Sequence, residues 1–283
     1  MRFCVGYRKW QVPCYDKNHV IVKKFCDSGS FASVPKFAVI IPAAGKSQRF
    51  KDKHYKKPFA VLEGRAVWLH SAEKFLNRED VIQLILIIAP EDRETFEMKF
   101  AANVAILGID IVEGGGERAD SVEKALAHVK PEADFIAIHD AARPCIADEW
   151  IGTIFDAAAR SGAALYGVPV ASTLKRAKKD GKGVISVTET VARKQLWEAQ
   201  TPQVFRREWL LEAYAQRDGF LATDDAQLVE RIDHPVTLIE GSPLNRKITT
   251  RQDLKLAGQI LRILPKPKGV GTGNPFADDE LFR

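Results

Sequence analysis

Three short stretches carry residue types suited to phosphate chemistry. The first is "VIIPAAGKSQRF", Val39 to Phe50. An apolar run stops at Pro42, and the small residues Ala43, Ala44 and Gly45 lead into Lys46 and Arg49, with Lys56 and Lys57 downstream. Small side chains let backbone N–H groups approach phosphate oxygens, and the cations neutralise their charge. The stretch is neither common phosphate loop. A P-loop would need glycine where Ile40 stands, and a dinucleotide turn fails at Ser47 and Phe50. Taken alone, it reads equally as a surface turn with solvated lysines.

The second stretch, "EGGGERADSV" (Glu113 to Val122), sets Gly114, Gly115 and Gly116 ahead of Arg118 and Ser121 at a helix start. Bare backbone there lets a planar base or a phosphate lie close. The plain alternative is a strand-to-helix turn. The third, "HDAARP" (His139 to Pro144), puts Asp140 directly after the apolar run "FIAI". A carboxylate at a strand's carboxyl end can hold or orient Mg²⁺ beside a triphosphate; otherwise it caps a helix.

The elements around these stretches alternate. Short apolar runs at Phe37–Ile41, Leu84–Ala89, Ile106–Val112, Phe135–His139, Ala163–Val168 and Val236–Glu240 predict strands. Helical spacing marks Val67–Leu76, Asp92–Ala101, Ser121–Val129, Trp150–Arg160, Trp209–Tyr214, Asp225–Arg231 and Gln252–Ile263. Strands alternating with helices predict βαβ units, hence a doubly wound, mostly parallel α/β sheet with right-handed crossovers. Residues 169–202 interrupt this rhythm with a hairpin-like turn at Lys178–Gly183 and β-prone flanks such as Val184–Val187. An excursion of this length from a compact sheet is usually functional or an interface. Ligands of open α/β sheets bind outside the carboxyl ends of the strands, where all three polar stretches fall, so one shared site is expected.

The chain has 283 residues, 46% hydrophobic and 28% charged, with a net charge of +5. These values suit a globular protein, and no basic stripe with interleaved aromatics points to nucleic acid. No run approaches the roughly 18 apolar residues that span a bilayer. The four cysteines, Cys4, Cys14, Cys26 and Cys145, fit no zinc spacing and read as reduced thiols of a cytoplasmic protein. Residues 1–35 lack a sustained period and read as an extension, poorly ordered apart from a short strand at His19–Val22, and their charged start lacks a secretory apolar stretch. Residues 36–264 read as the α/β domain. From Pro265 onward the chain reads as a flexible tail too short for a second domain.

Seven strings in order, "PAAGKSQRF", "GGGERADSV", "HDAARP", "PVASTLK", "LWEAQTPQ", "TDDA" and "NRKITTRQDL", resemble the family of cytidylyltransferases that join CTP to 2-C-methyl-D-erythritol 4-phosphate, over roughly residues 36–263. Ribitol-5-phosphate cytidylyltransferases are similar, so a cytidylyltransferase for ribitol 5-phosphate or another alditol phosphate is the alternative, with a non-catalytic nucleotide-binding relative as the last reading. The resemblance implies a Rossmann-like nucleotidyltransferase fold with a protruding β-arm, Mg²⁺ as cofactor, CTP and an alditol phosphate as substrates, and a homodimer through the 169–202 arm. Residue by residue, it implies that Arg49 and Lys57 are catalytic, with Lys56 the one-residue alternative to Lys57. Pro42, Ala43, Ala44, Gly45, Gly114, Gly115, Ser121 and Asp140 would bind the nucleotide, Asp140 also standing near the metal. Arg143, Thr173, Arg193 and Lys247 would bind the alditol phosphate, Thr173 and Arg193 reaching in from the other chain, and Lys175 falls in the same motif as Thr173. The sequence departs from the family at Ser47 and Phe50, and at Ser172 and Ala192, where the family more often has acids. The last two lie where the alditol is expected, so they bear on the acceptor more than on the reaction.

Overall fold

A computed structural model describes residues 34–45 and 56–265. The expected strand at His19–Val22, the extension around it, Cys4, Cys14, Cys26, Lys46, Arg49 and the tail beyond Pro265 lie outside the described residues. The strands are β1 (Phe37–Pro42), β2 (Val61–Leu62), β3 (Arg65–Ala66), β4 (Val81–Ile88), β5 (Asp110–Glu113), β6 (Phe135–Ile138), β7 (Ala163–Pro169), β8 (Leu174–Lys179), β9 (Ile185–Val191), β10 (Trp197–Arg206) and β11 (Thr237–Glu240). The helices are α1 (Val67–Leu76), α2 (Arg93–Leu107), α3 (Arg118–Leu126), α4 (Asp148–Ser161), α5 (Arg207–Ala215), α6 (Ala226–Glu230) and α7 (Arg251–Ile263).

The central sheet has the order β11-β7-β10-β6-β1-β4-β5. Its neighbours pair in parallel except β10, which runs antiparallel to both β6 and β7. The doubly wound, mostly parallel α/β architecture is therefore present. Why "FAVII" reads as a continuous apolar run is visible in the layers. Phe37, Val39 and Ile41 face the core shared with α1, α2 and α4, while Ala38 and Ile40 face the core shared with α3, α5 and α6. A strand covered on both faces has no polar side to alternate with. A third, smaller cluster joins Leu62 and Val67 to Ala257 and Ile260, docking α7 against the β2–β3 turn.

The path of the chain sets the site. It moves from β1 outward to β4 and β5, then returns to place β6 on the other side of β1. Such a reversal opens a crevice at the carboxyl ends of the inner strands.

Two boundaries differ from the sequence expectation. Ile106 does not begin a strand: α2 runs on to Leu107, and Gly108 ends it in the left-handed conformation at φ 63°. Ile106 is 83% exposed, so its apolar character reflects no burial. The excursion is also shorter than 169–202. From Trp197 the chain already forms β10, which pairs with Pro169 at its start and then enters the middle of the sheet. Only the β8–β9 hairpin and its flanks project, with almost every residue exposed.

Candidate active site

A cleft of about 810 Å³ opens at the carboxyl ends of β1, β4, β5 and β6. Its walls include Pro42, Ala43, Ala44 and Gly45 from the first loop, Gly114, Gly115 and Ser121 from the second, and Asp140 from the third. Lys247 closes it from the segment before α7. The three polar stretches thus meet in one place, as their strand-end positions required.

Each loop is fixed by specific bonds. Ala43 N–H donates to the Ile87 carbonyl and Gly114 N–H to the Ile88 carbonyl, both at 2.8 Å, so the first two loops leave the sheet in register with β4. The Ser121 hydroxyl accepts from Gly115 N–H and donates to the Glu117 carbonyl, each at 3.0 Å. It therefore staples the glycine turn to the first turn of α3. The glycines are needed for space. A Cβ on Gly114 would stand 2.8 Å from both Ala44 Cβ and Ser121 Oγ, and one on Gly115 would stand 2.6 Å from Asp120 Cβ.

Asp140 is the electrostatic centre. Lys247 Nζ lies 2.7 Å from its carboxylate, Arg143 Nε 3.5 Å and Arg118 Nε 4.0 Å. Burial by itself would raise its pKa; Lys247, Arg118 and Arg143 together outweigh burial and hold it well below the usual carboxylate range. Arg143 has its own pKa lowered by burial, a loss that Asp140 partly offsets. Its guanidinium also donates to the Asn245 carbonyl at 2.7 Å. Ile248 N–H donates to the Ala142 carbonyl at 2.8 Å, so two bonds zip the Asp140 turn to the segment that carries Lys247. That segment leads into α7, whose first turn is capped reciprocally by Thr250 and Asp253.

A buried network stands behind the turn. The Thr201 hydroxyl on β10 accepts from Asp140 N–H at 3.0 Å and lies 3.2 Å from His139 Nδ1, while His139 Nε2 lies 3.0 Å from the Arg143 carbonyl. One assignment satisfies every group: Nε2–H donates to the carbonyl and Nδ1 accepts from the hydroxyl. Burial pushes the imidazole down to about 4, so it is neutral near pH 7.

Four side chains have no role assigned from the sequence. Arg118 lines the cleft, and its guanidinium donates at 2.6 Å to Asp225, whose side chain is fully buried. Burial opposes the charge of Arg118, but Asp225 and Asp140 outweigh it and raise the pKa. Tyr214 O–H donates to the other Asp225 oxygen at 2.6 Å. Lys124 also lines the cleft and donates to the Gly114 carbonyl at 3.0 Å. Its position, one turn after Ser121 on α3, was the available signal.

Other expected residues are not gathered here. Thr173 and Arg193 are exposed on the flanks of the β8–β9 hairpin and do not line the cleft of this chain. Lys175 Nζ donates across that hairpin to Thr190 at 2.5 Å. Arg49 and the Lys57 side chain fall outside the described residues. Lys56 is bound to Glu91 at 2.9 Å and Asp92 at 2.8 Å, which ties it to the turn after β4.

Among the described residues no cluster of three or more His, Cys, Asp or Glu is arranged to hold a metal. The donor set, one ionised carboxylate in a cleft with cations, fits Mg²⁺ that takes most of its ligands from phosphate and water. No helix among the described residues is long and apolar enough to cross a membrane.

The comparisons agree on one family. The family model of IspD, 2-C-methyl-D-erythritol 4-phosphate cytidylyltransferase, matches residues 37–263. The chain is 43% identical over 235 residues to the 2-C-methyl-D-erythritol 4-phosphate cytidylyltransferase of Rhodopirellula baltica, covering 79% of this chain and 94% of that one. It is 42% identical over 229 residues to the Shouchella clausii enzyme of the same name, covering 80% and 96%. The crystal structure of the Thermus thermophilus enzyme of that name superposes with a TM-score of 0.64 at 32% identity, covering 80% of this chain and 98% of that one. With the cleft and its charges in place, the chain belongs to the 2-C-methyl-D-erythritol 4-phosphate cytidylyltransferase family.

Proposed function

We propose that this chain transfers CMP from CTP to 2-C-methyl-D-erythritol 4-phosphate, giving the CDP-alditol and pyrophosphate, a step of isoprenoid precursor synthesis. The observation that carries the reading is the meeting of a glycine-lined loop and three cations around Asp140 at the reversal point of the sheet, in a chain of this family.

The reaction needs no protein nucleophile. A phosphate oxygen of the alditol, already anionic, attacks the α-phosphorus of CTP; the new P–O bond forms as the bond to the bridging oxygen breaks, and its electrons leave with pyrophosphate. Catalysis is positioning and charge stabilisation. Arg49 and Lys57 bind the charge that develops at the α-phosphate. The Lys56 tie to Glu91 and Asp92 supports Lys57 over Lys56 in that role. Pro42, Ala43, Ala44, Gly45, Gly114 and Gly115 receive the nucleotide, and Ser121 keeps the glycine turn in shape. Arg143 and Lys247 face the acceptor phosphate. Asp140 would hold Mg²⁺, which when bound supplies charge neutralisation for the triphosphate.

The enzyme works as a homodimer, and Thr173 and Arg193 complete the acceptor site of the partner subunit. Support comes from the hairpin and its base, where Ile185, Val187 and Trp197 are 70%, 62% and 39% exposed, an apolar surface suited to a second chain. We place the enzyme in the cytoplasm on its unpatterned cysteines.

The test is product analysis by ³¹P NMR with CTP, methylerythritol phosphate and Mg²⁺. A pyrophosphate signal with a phosphodiester of the CDP-alditol is expected. CTP and alditol phosphate recovered unchanged would overturn the reading.

A further inference from the structure

The two aspartates of "TDDA" divide their work. Asp224 accepts from Gln227 N–H at 3.0 Å, bonding the first turn of α6, and from Gln203 on β10 at 2.8 Å. Asp225 stands at the N-cap of α6 but makes no capping bond with its side chain. One of its oxygens instead takes the Tyr214 hydroxyl and the other takes Arg118, each at 2.6 Å. A fully buried carboxylate is costly, and apolar packing of the same volume would serve the fold as well. The consequence of this carboxylate appears at the far end of the chain of contacts, in the cleft wall.

There Arg118 stands between two carboxylates, 2.6 Å from Asp225 and 4.0 Å from Asp140. Asp140 already has Lys247 at 2.7 Å and Arg143 at 3.5 Å. Without Asp225, Asp140 would be the carboxylate left beside Arg118. The Arg118 charge would then be turned from the nucleotide toward a carboxylate already paired with Lys247 and Arg143. Held back by Asp225, the guanidinium sits in the cleft wall beside the glycine turn, where an anionic part of a nucleotide would meet it.

We propose that Tyr214 and Asp225 are positioning residues that hold Arg118 in the cleft wall for the CTP triphosphate and stop it closing on Asp140 from its present 4.0 Å. This rests on the cytidylyltransferase reading and names a determinant within that same site. Asp225 and Tyr214 touch neither substrate; they act through Arg118. The predicted signature is loss on the nucleotide side alone, because Arg193, Arg143 and Lys247 serve the acceptor.

The experiment measures CTP binding by calorimetry with Mg²⁺ and no acceptor, and the KM of methylerythritol phosphate, in wild type, Asp225→Asn, Tyr214→Phe, Arg118→Ala and the Arg118→Ala/Asp225→Asn double variant. Asparagine keeps the shape and can still accept from Tyr214 but gives Arg118 no charge to pair with. The CTP Kd should rise about tenfold or more in Asp225→Asn, the loss of a charge-assisted bond. Tyr214→Phe should shift it in the same direction by a smaller factor, and neither variant should move the acceptor KM by more than about twofold. The double variant should bind CTP no worse than Arg118→Ala alone, since contacts in one network do not add. If Asp225→Asn fails to fold, Tyr214→Phe carries the test against the same acceptor KM. A CTP Kd within twofold of wild type in the folded variants, or losses that multiply in the double variant, would overturn the proposal. Wild type that binds no CTP would overturn the functional reading instead.

Discussion

Lys247 Nζ lies 2.7 Å from Asp140 Oδ2, joining the last loop of the domain to the end of β6. The ion pair has a consequence for pH. Asp140 is held below the usual carboxylate range, so its charge, and the stability that charge brings, is fully present above the ordinary aspartate pKa and is lost only as pH falls through the lowered folded value. Between pH 5 and 8 the wild-type rate should show no limb from Asp140. Lys247→Met removes the main compensating cation, so the acidic limb of kcat/KM should move upward in pH. A variant whose acidic limb stays where the wild type has it would show that Lys247 does not control Asp140.

His139 gives a pH dependence of the same sign in a higher window. Its folded pKa is pushed down to about 4 from 6.5, so the unfolded chain binds the extra proton between those values. Stability should therefore fall as pH drops from 6.5 toward 4, by about 3 kcal/mol across the window for this one group. His139→Gln should be less stable at pH 7 yet lose less on acidification. Urea unfolding of both proteins at pH 7 and 5 checks this; identical pH slopes would contradict it.

Gly114 tolerates no side chain, because a Cβ would press on Ala44 and Ser121 at 2.8 Å. Gly114→Ala should cost about 1–3 kcal/mol in stability from overpacking, with weaker CTP binding as the first two loops move apart. Thermal unfolding and CTP calorimetry on the same sample report both. Unchanged Tm and unchanged Kd together would mean the loops adjust freely.

Arg49→Ala should lower kcat by roughly 10²–10³ with CTP binding largely kept, the cost typical of losing one donor to developing charge. Arg193→Ala should instead raise the KM of the alditol phosphate. If Arg193 serves the partner's cleft, mixing the two impaired variants and allowing subunits to exchange should raise the rate at low alditol phosphate above that of either variant alone, since one cleft in each mixed dimer is intact. No recovery after demonstrated exchange would contradict the shared site.

The sequence made the parallel half of the fold legible because its strands are covered on both faces and read as apolar runs. It hid β10, whose buried positions include Gln200, Thr201 and Gln203. Those polar groups are satisfied from afar, Gln203 by Asp224 and Thr201 beside His139, so no local pattern announces their burial. The end of α2 is obscured in the sequence for the converse reason: Ile106 is apolar and exposed. The three site loops were legible because each ends a strand with small or charged residues. The role of Arg118 was not, because its partner Asp225 lies 107 residues away and only the fold brings them together.

The expected acceptor is methylerythritol 4-phosphate despite Ser172 and Ala192. The most direct measurement is kcat/KM for pyrophosphate release with CTP and Mg²⁺, offering methylerythritol 4-phosphate and ribitol 5-phosphate in parallel. A clear preference for methylerythritol 4-phosphate is the predicted result, and a preference for ribitol 5-phosphate would contradict it.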